Sequence, residues 1–179
     1  YVDLVFDGVA KPPSILQADP QKECSIEFFT MSKSYNMGGF RVGYAIGNRQ
    51  LIKALKQIKA VVDFNQYLGI LNGAIASLNS PQEFVTKPVN IFQQRRDTLI
   101  AALNNIDWQV NKPSATMYLW AKLPTQWQHN SIDFCTQLVA ETGVALAPGA
   151  GFGKAGEGYV RFALVKEPKI LEEAARKIS

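Results

Sequence analysis

The run Phe28-Phe29-Thr30-Met31-Ser32-Lys33-Ser34-Tyr35-Asn36-Met37-Gly38-Gly39-Phe40-Arg41-Val42-Gly43 constrains this chain more than any other stretch. Ile26 to Thr30 and Val42 to Ile46 are short β-rich runs, the second closed by Gly47 and Asn48. Between them lies a hydroxyl-rich turn with one lysine, then a Gly-Gly bend, then an arginine eight positions after the lysine. Cations on both sides of such a bend point to a pocket for an anionic group, with Lys33 as candidate nucleophile. A free lysine is neutral in only about one molecule in 2,500 at pH 7, a deficit of roughly 4.6 kcal/mol. A nucleophilic lysine therefore needs desolvation or a neighbouring cation. Arg41 is the candidate cation, and Phe28, Phe29, Met31 and Phe40 are the candidate apolar walls. On physical grounds alone, a surface lysine beside a turn accounts for the pattern equally well.

The elements around this centre follow from periodicity. Leu51, Ile52, Leu55, Ile58 and Val62 give an amphipathic helix over Arg49 to Val62. A second helix spans Gln66 to Leu78, where Gly69 and Gly73 permit close backbone packing. A third begins with Ser80 as N-cap and Pro81 at its first position and runs to about Asn104. Trp108 to Val110 and Met117 to Lys122 read as strands. Ser131 caps a helix that stops at Gly143. Val144 to Ala147 and Tyr159 to Val165 are further strands, and Glu167-Pro168 opens a last helix. The long third helix, 81–104, bridges two domains, with the boundary near residues 85–95.

Composition removes several function classes. The chain has 179 residues, 47% of them hydrophobic and 19% charged, with a net charge of +4. No apolar run reaches the roughly 20 residues of a membrane span, and neither a membrane nor a nucleic acid is expected as partner. Lys53, Lys56 and Lys59 read as a solvated helix face, without the aromatic interleaving of a nucleic-acid motif. Cys24 and Cys135 fit neither a disulfide framework nor a zinc site, so a cytoplasmic location is expected and no metal. His129, the one histidine, reads as a surface loop residue.

Gly149-Ala150-Gly151-Phe152-Gly153-Lys154-Ala155 fails as a phosphate loop. Pro148 stands where the first glycine is required and Ala155 where a hydroxyl is required. It reads as a flexible turn. In Tyr159-Val160-Arg161-Phe162-Ala163-Leu164-Val165, alternation puts Val160, Phe162 and Leu164 on one face and Arg161 on the other. An arginine flanked by apolar neighbours on a strand requires an anion, either a structural carboxylate or the carboxylate of a substrate.

Thr30-Met31-Ser32-Lys33, with Arg41-Val42-Gly43 behind it, resembles the lysine signature of the class I/II aminotransferases, enzymes of fold type I that use pyridoxal 5′-phosphate. The likeness is strongest to the bacterial branch of alanine, aspartate-like and LL-diaminopimelate aminotransferases. It extends over the whole chain. Tyr1 to Leu4 resembles the segment after the family's cofactor aspartate. Pro113 to Trp120 resembles its Pro-x-Gly-x-Phe/Met-Tyr strand, with Ala115 where glycine is common, and Val144 to Gly153 resembles its Pro-Gly turn.

The resemblance implies an α/β chain: the C-terminal part of the fold, with an incomplete large α/β/α domain (1–90) that binds the cofactor and a small α+β domain (91–179). Lys33 is the implied Schiff-base lysine and proton shuttle. Arg41 and Thr30 (serine in most of the family) are the implied phosphate ligands, and Tyr1 the partner of the cofactor's phenolate oxygen. Arg161 is the implied holder of the substrate carboxylate. The implied reaction moves an amino group from an amino acid to a 2-oxo acid in amino-acid biosynthesis, in a homodimer. A pyridoxal phosphate-dependent β-lyase and the aminotransferase-like sensor domain of a transcription regulator are the alternatives. The aspartate that pairs with the pyridine nitrogen would precede Tyr1. The chain is accordingly expected to be a portion of a longer enzyme, inactive by itself.

Overall fold

The computed structural model describes residues 2–179. They divide into two compact units: residues 10–87 with the segment ending at Asp3, and residues 88–179 with Leu4–Val9.

In the first unit, β1 (Ile26–Thr30) and β2 (Gly43–Gly47) pair antiparallel, from Ile26 opposite Gly47 to Thr30 opposite Gly43. The ladder continues one step, with the Met31 N–H donating to Val42 O (3.1 Å). Beyond it the chain folds back on itself, the Met37 N–H donating to Met31 O (3.2 Å). Met31, Met37 and Val42 form a small core with Ala74 of α3 (Leu68–Asn79), flanked by Tyr35, Ile70 and Leu71. A short α1 (Ile15–Ala18) precedes the hairpin and α2 (Arg49–Val62) follows it, the latter capped by Asn48, whose Oδ1 accepts from the Gln50 and Leu51 N–H groups.

Helix α2 has the bounds its periodicity predicts, yet it buries none of its residues; Ile58, Val61 and Val62 are exposed. The glycines of α3 differ from expectation. Side chains, not a second backbone, fill the space at them: the Tyr67 ring stands 2.5 Å from where a Cβ on Gly69 would lie, and Met37 Cε lies 3.9 Å from that of Gly73.

Helix α4 (Glu83–Asn104) contains Pro88, where the two units divide. It starts later than expected. Ser80 is no N-cap; its hydroxyl donates back to Ala76 O (2.7 Å) and closes α3. In the second unit, β3 (Tyr118–Lys122), β5 (Tyr159–Ala163) and β4 (Ala147–Pro148) form an antiparallel sheet in the order β3-β5-β4. Helices α5 (Ser131–Thr142) and α6 (Pro168–Ile178) share its core of Leu99, Leu103, Leu119, Phe134, Leu138, Val160, Phe162, Leu164 and Leu171.

Trp108 to Val110 is not a strand. The Trp108 N–H donates to Leu103 O and its indole donates to Lys122 O (2.7 Å), so the residue closes α4 and fills the core instead of joining a ladder. The α5 cap is Asn130, one residue before the expected Ser131; its Oδ1 accepts from Asp133 N (3.1 Å). Gly143 ends α5 in the left-handed conformation (φ 72°), as its position predicts.

The glycine-rich segment is a structural crossing. A Cβ on Gly149 would lie 1.9 Å from Gly156 O, and one on Gly156 would lie 2.2 Å from Gly149 O. Ser131 Oγ accepts from Ala150 N, and Glu157 Oε1 accepts from the Ser131 and Gly158 N–H groups (2.7 and 2.9 Å), which hold its carboxyl below the usual range. Gly149→Ala is therefore expected to destabilise the second unit by about 1–3 kcal/mol, since backbone on both sides must move. Calorimetry of the variant reads this as a lowered Tm.

Candidate active site

Lys33 sits in the connection between β1 and β2, half-buried, its carbonyl accepting the Asn36 N–H (3.4 Å). The connection is held by its own core. Met31 is fully buried before the lysine, Ser34 is buried after it, and the Tyr35 hydroxyl donates to Gln82 Oε1 (2.8 Å). Burial and the charge of Asp3 push the Tyr35 phenol up, so it stays neutral as a donor. Asp3 is itself held low: burial works against its charge, but hydrogen bonds from Lys11 (2.6 Å) and Ser34 outweigh that.

Thr30 Oγ1 donates to Ser32 Oγ (2.9 Å) and accepts the Ser32 N–H (3.1 Å), so two hydroxyls sit together at the end of β1. Arg41 is left-handed (φ 53°) at the start of β2, exposed, with Nη1 donating to Gly38 O (2.9 Å). Among the described residues no carboxylate pairs with it. One turn thus carries an amine, two hydroxyls and a guanidinium, Arg41, that no carboxylate among the described residues pairs with. This donor set fits a ligand with a phosphate and an electrophilic carbon. The expected apolar walls are realised only in part: Met31 is buried and Phe29 stacks on Tyr44 (5.0 Å), whereas Phe28 and Phe40 are 67% and 53% exposed. Tyr1 lies outside the described residues.

Arg161, on the central strand β5 of the second unit, is cross-strand from Trp120 and Ala147. The alternation expected for this strand holds, with Val160, Phe162 and Leu164 buried beneath it. Its guanidinium lies between the rings of Tyr118 (4.2 Å) and Phe152 (4.6 Å). No carboxylate among the described residues pairs with it, and its buried Nε has no partner. It lines a cleft of about 580 Å³ with Pro113, Ser114, Ala115, Thr116, Trp120 and Phe152. A half-buried guanidinium packed between two rings, its Nε without a partner, can take up an anion.

Sequence reasoning missed the device behind this cleft. Arg96 is fully buried in α4, its Nη1 and Nη2 donating to both Asp7 carboxylate oxygens (2.8 and 3.1 Å), its Nε to Asp97 (2.9 Å) and Nη1 also to Pro113 O (2.7 Å). The signal was present: Phe92, Arg96, Leu99 and Leu103 share one face of the helix, so Arg96 replaces an apolar residue in a buried stripe.

The comparisons with known proteins agree with this geometry. The family model for aminotransferase class I and II matches residues 1–178. The chain is 42% identical over its whole length to an LL-diaminopimelate aminotransferase of Dehalococcoides mccartyi, of which it covers 45%. It is 40% identical to the glutamate-pyruvate aminotransferase AlaC of Escherichia coli, with 99% of the chain covering 43% of that protein. Among solved structures it matches a probable N-succinyldiaminopimelate aminotransferase of Thermus thermophilus at 42% identity and a TM-score of 0.89, over 99% of the chain and 47% of that structure. An aminotransferase of Staphylococcus aureus matches at 36% identity and a TM-score of 0.88, over 99% and 46%. The chain spans about half the length of the relatives it matches. It belongs to the class I and II aminotransferases, a family that depends on pyridoxal 5′-phosphate.

Proposed function

We propose that this chain supplies the lysine, part of the phosphate site and the carboxylate arginine of an aminotransferase that moves an amino group from an amino acid to a 2-oxo acid. The observation that carries the reading is the β1–β2 connection, where Lys33, the hydroxyls of Thr30 and Ser32, and an Arg41 without an acid partner share one short turn. Pyridoxal phosphate, when bound, supplies an electron sink that stabilises negative charge at the substrate Cα. Lys33 would hold the cofactor covalently through its Nζ and would move the proton at the substrate carbon. Arg41 and Thr30 would hold the phosphate, and Tyr1 would be the partner of the ring hydroxyl. Arg161 holds the substrate carboxylate.

On this reading residues 1–90 belong to the cofactor-binding large domain and 91–179 to the small domain, and the whole protein is a cytoplasmic homodimer. No helix among the described residues is long and apolar enough to cross a membrane. The names of the relatives favour transamination over β-elimination, and over a sensor domain without turnover.

Borohydride reduction of the whole protein with pyridoxal phosphate, followed by peptide mapping, tests the assignment. The cofactor is expected on Lys33, with product formation that requires a 2-oxo acid acceptor. Label on another lysine overturns the site. Pyruvate and ammonia released without an acceptor overturn the reaction in favour of the lyase.

A further inference from the structure

The Arg161 cleft has one wall that its own sheet does not explain. Thr116 is left-handed (φ 75°), a conformation that a β-branched residue reaches only at a cost. It does not stand alone. Its N–H donates to Leu4 O (2.8 Å), Val5 bridges Ala115, and the Phe6 N–H donates to Ser114 O (2.8 Å), so Leu4–Val9 lies as a strap along 114–116. Thr116 Oγ1 in turn accepts the Tyr118 N–H (3.2 Å), and the Tyr118 ring is the one packed 4.2 Å from the Arg161 guanidinium.

What holds the strap is Arg96. Its fork grips Asp7 at the strap's end and Pro113 O at the start of the wall, and its face covers the Phe6 ring at 4.8 Å. Lys112 adds a cation 3.5 Å from Asp7 and 3.3 Å from Asp97. Of this cluster only Pro113 lines the cleft; Arg96, Asp7, Asp97 and Lys112 do not.

We infer that Arg96 and Asp7 are positioning residues for the Arg161 anion site: their ion pair clamps the Leu4–Val9 strap against 113–116, keeping Thr116 left-handed and the Tyr118 ring seated on the guanidinium. The inference rests on the proposed role of Arg161. The hydrogen bonds from Arg96 hold the Asp7 carboxyl below its usual range, so the pair remains charged at neutral pH.

Asp7→Asn is the informative variant. Asparagine tolerates the left-handed backbone at this position (φ 57°), so the chain path is kept while the charged grip is lost. In the whole protein loaded with pyridoxal phosphate, pyruvate binding is read from tryptophan fluorescence, since Trp120 lies in the cleft. The Kd is expected to rise about tenfold, the scale on which a displaced binding group acts. Thr116→Asn, which reaches φ 75° more readily than a β-branched residue and keeps a side-chain oxygen to accept the Tyr118 N–H, is expected to restore the affinity in the Asp7→Asn background while leaving any loss of Tm in place.

A Kd unchanged by Asp7→Asn, or a loss that Thr116→Asn does not reverse, overturns the clamp and leaves Arg96 a purely structural residue. Arg161→Met separates the two readings. If it abolishes pyruvate binding while Asp7→Asn has no effect, only the clamp fails. If it leaves binding intact, the anion site fails as well.

Discussion

Lys33→Ala is expected to lower kcat by about a thousandfold or more in the whole protein, the scale of a positioned proton-transfer group. Two losses combine in that figure. The covalent attachment of the cofactor disappears, and so does the amine that moves the proton. Affinity for the cofactor should fall less than turnover, because the phosphate contacts proposed for Arg41 and Thr30 are untouched by the substitution. The decisive measurement is therefore a pair: residual turnover, and the fraction of cofactor fixed by borohydride. Turnover near zero, cofactor retained but no longer fixed, and partial rescue by an added small amine would together assign both roles to Lys33. Rescue separates them from a collapsed turn, since methylamine cannot repair a misfolded connection. Wild-type turnover in Lys33→Ala would remove the lysine from the mechanism altogether. Misfolding is not the expected outcome, because the connection is anchored by Met31, Met37 and Val42 and not by the lysine.

The β1–β2 connection was the most legible part of the chain because its signals are local. Strand runs, the glycine bend and the lysine lie within one short stretch, and antiparallel pairing follows from that closeness in sequence. Helices α2 and α6 were read at their bounds for the same reason: the apolar spacing from Leu51 to Val62 marks the one, and Glu167-Pro168 marks where the other starts. What failed depends on distant partners. Trp108 has strand composition, but its indole is claimed by Lys122 O and its ring by Phe134 and Phe162. Leu4–Val9 interrupts the first unit in sequence yet packs with the second, where Arg96, far along the chain, grips Asp7. The apolar walls proposed around Lys33 were only half right. Hydrophobicity marks residues that seek cover, but Phe28 and Phe40 have no covering element among the described residues. Arg161 was read as needing an anion, from a protein carboxylate or a substrate; no carboxylate among the described residues pairs with it.

Arg161→Met removes the charge while keeping an unbranched apolar chain between the Tyr118 and Phe152 rings. Loss of a charged hydrogen-bond pair in a desolvated site costs about 2–5 kcal/mol, so kcat/KM for the amino acid is expected to fall by about two orders of magnitude or more. The loss should appear first in KM, because the carboxylate is held in the ground state as well as during proton transfer. Stability should move the other way. In the free protein the guanidinium carries a buried Nε without a partner and no opposing acid, and replacing such a group by an apolar one is neutral or favourable. The Tm of Arg161→Met is thus expected to match or exceed that of the wild type in the absence of substrate. Saturating 2-oxo acid should stabilise the wild type and not the variant. A structural arginine would behave oppositely, with Tm falling and kcat/KM preserved, and that pair of results would return Arg161 to the role of a packing residue.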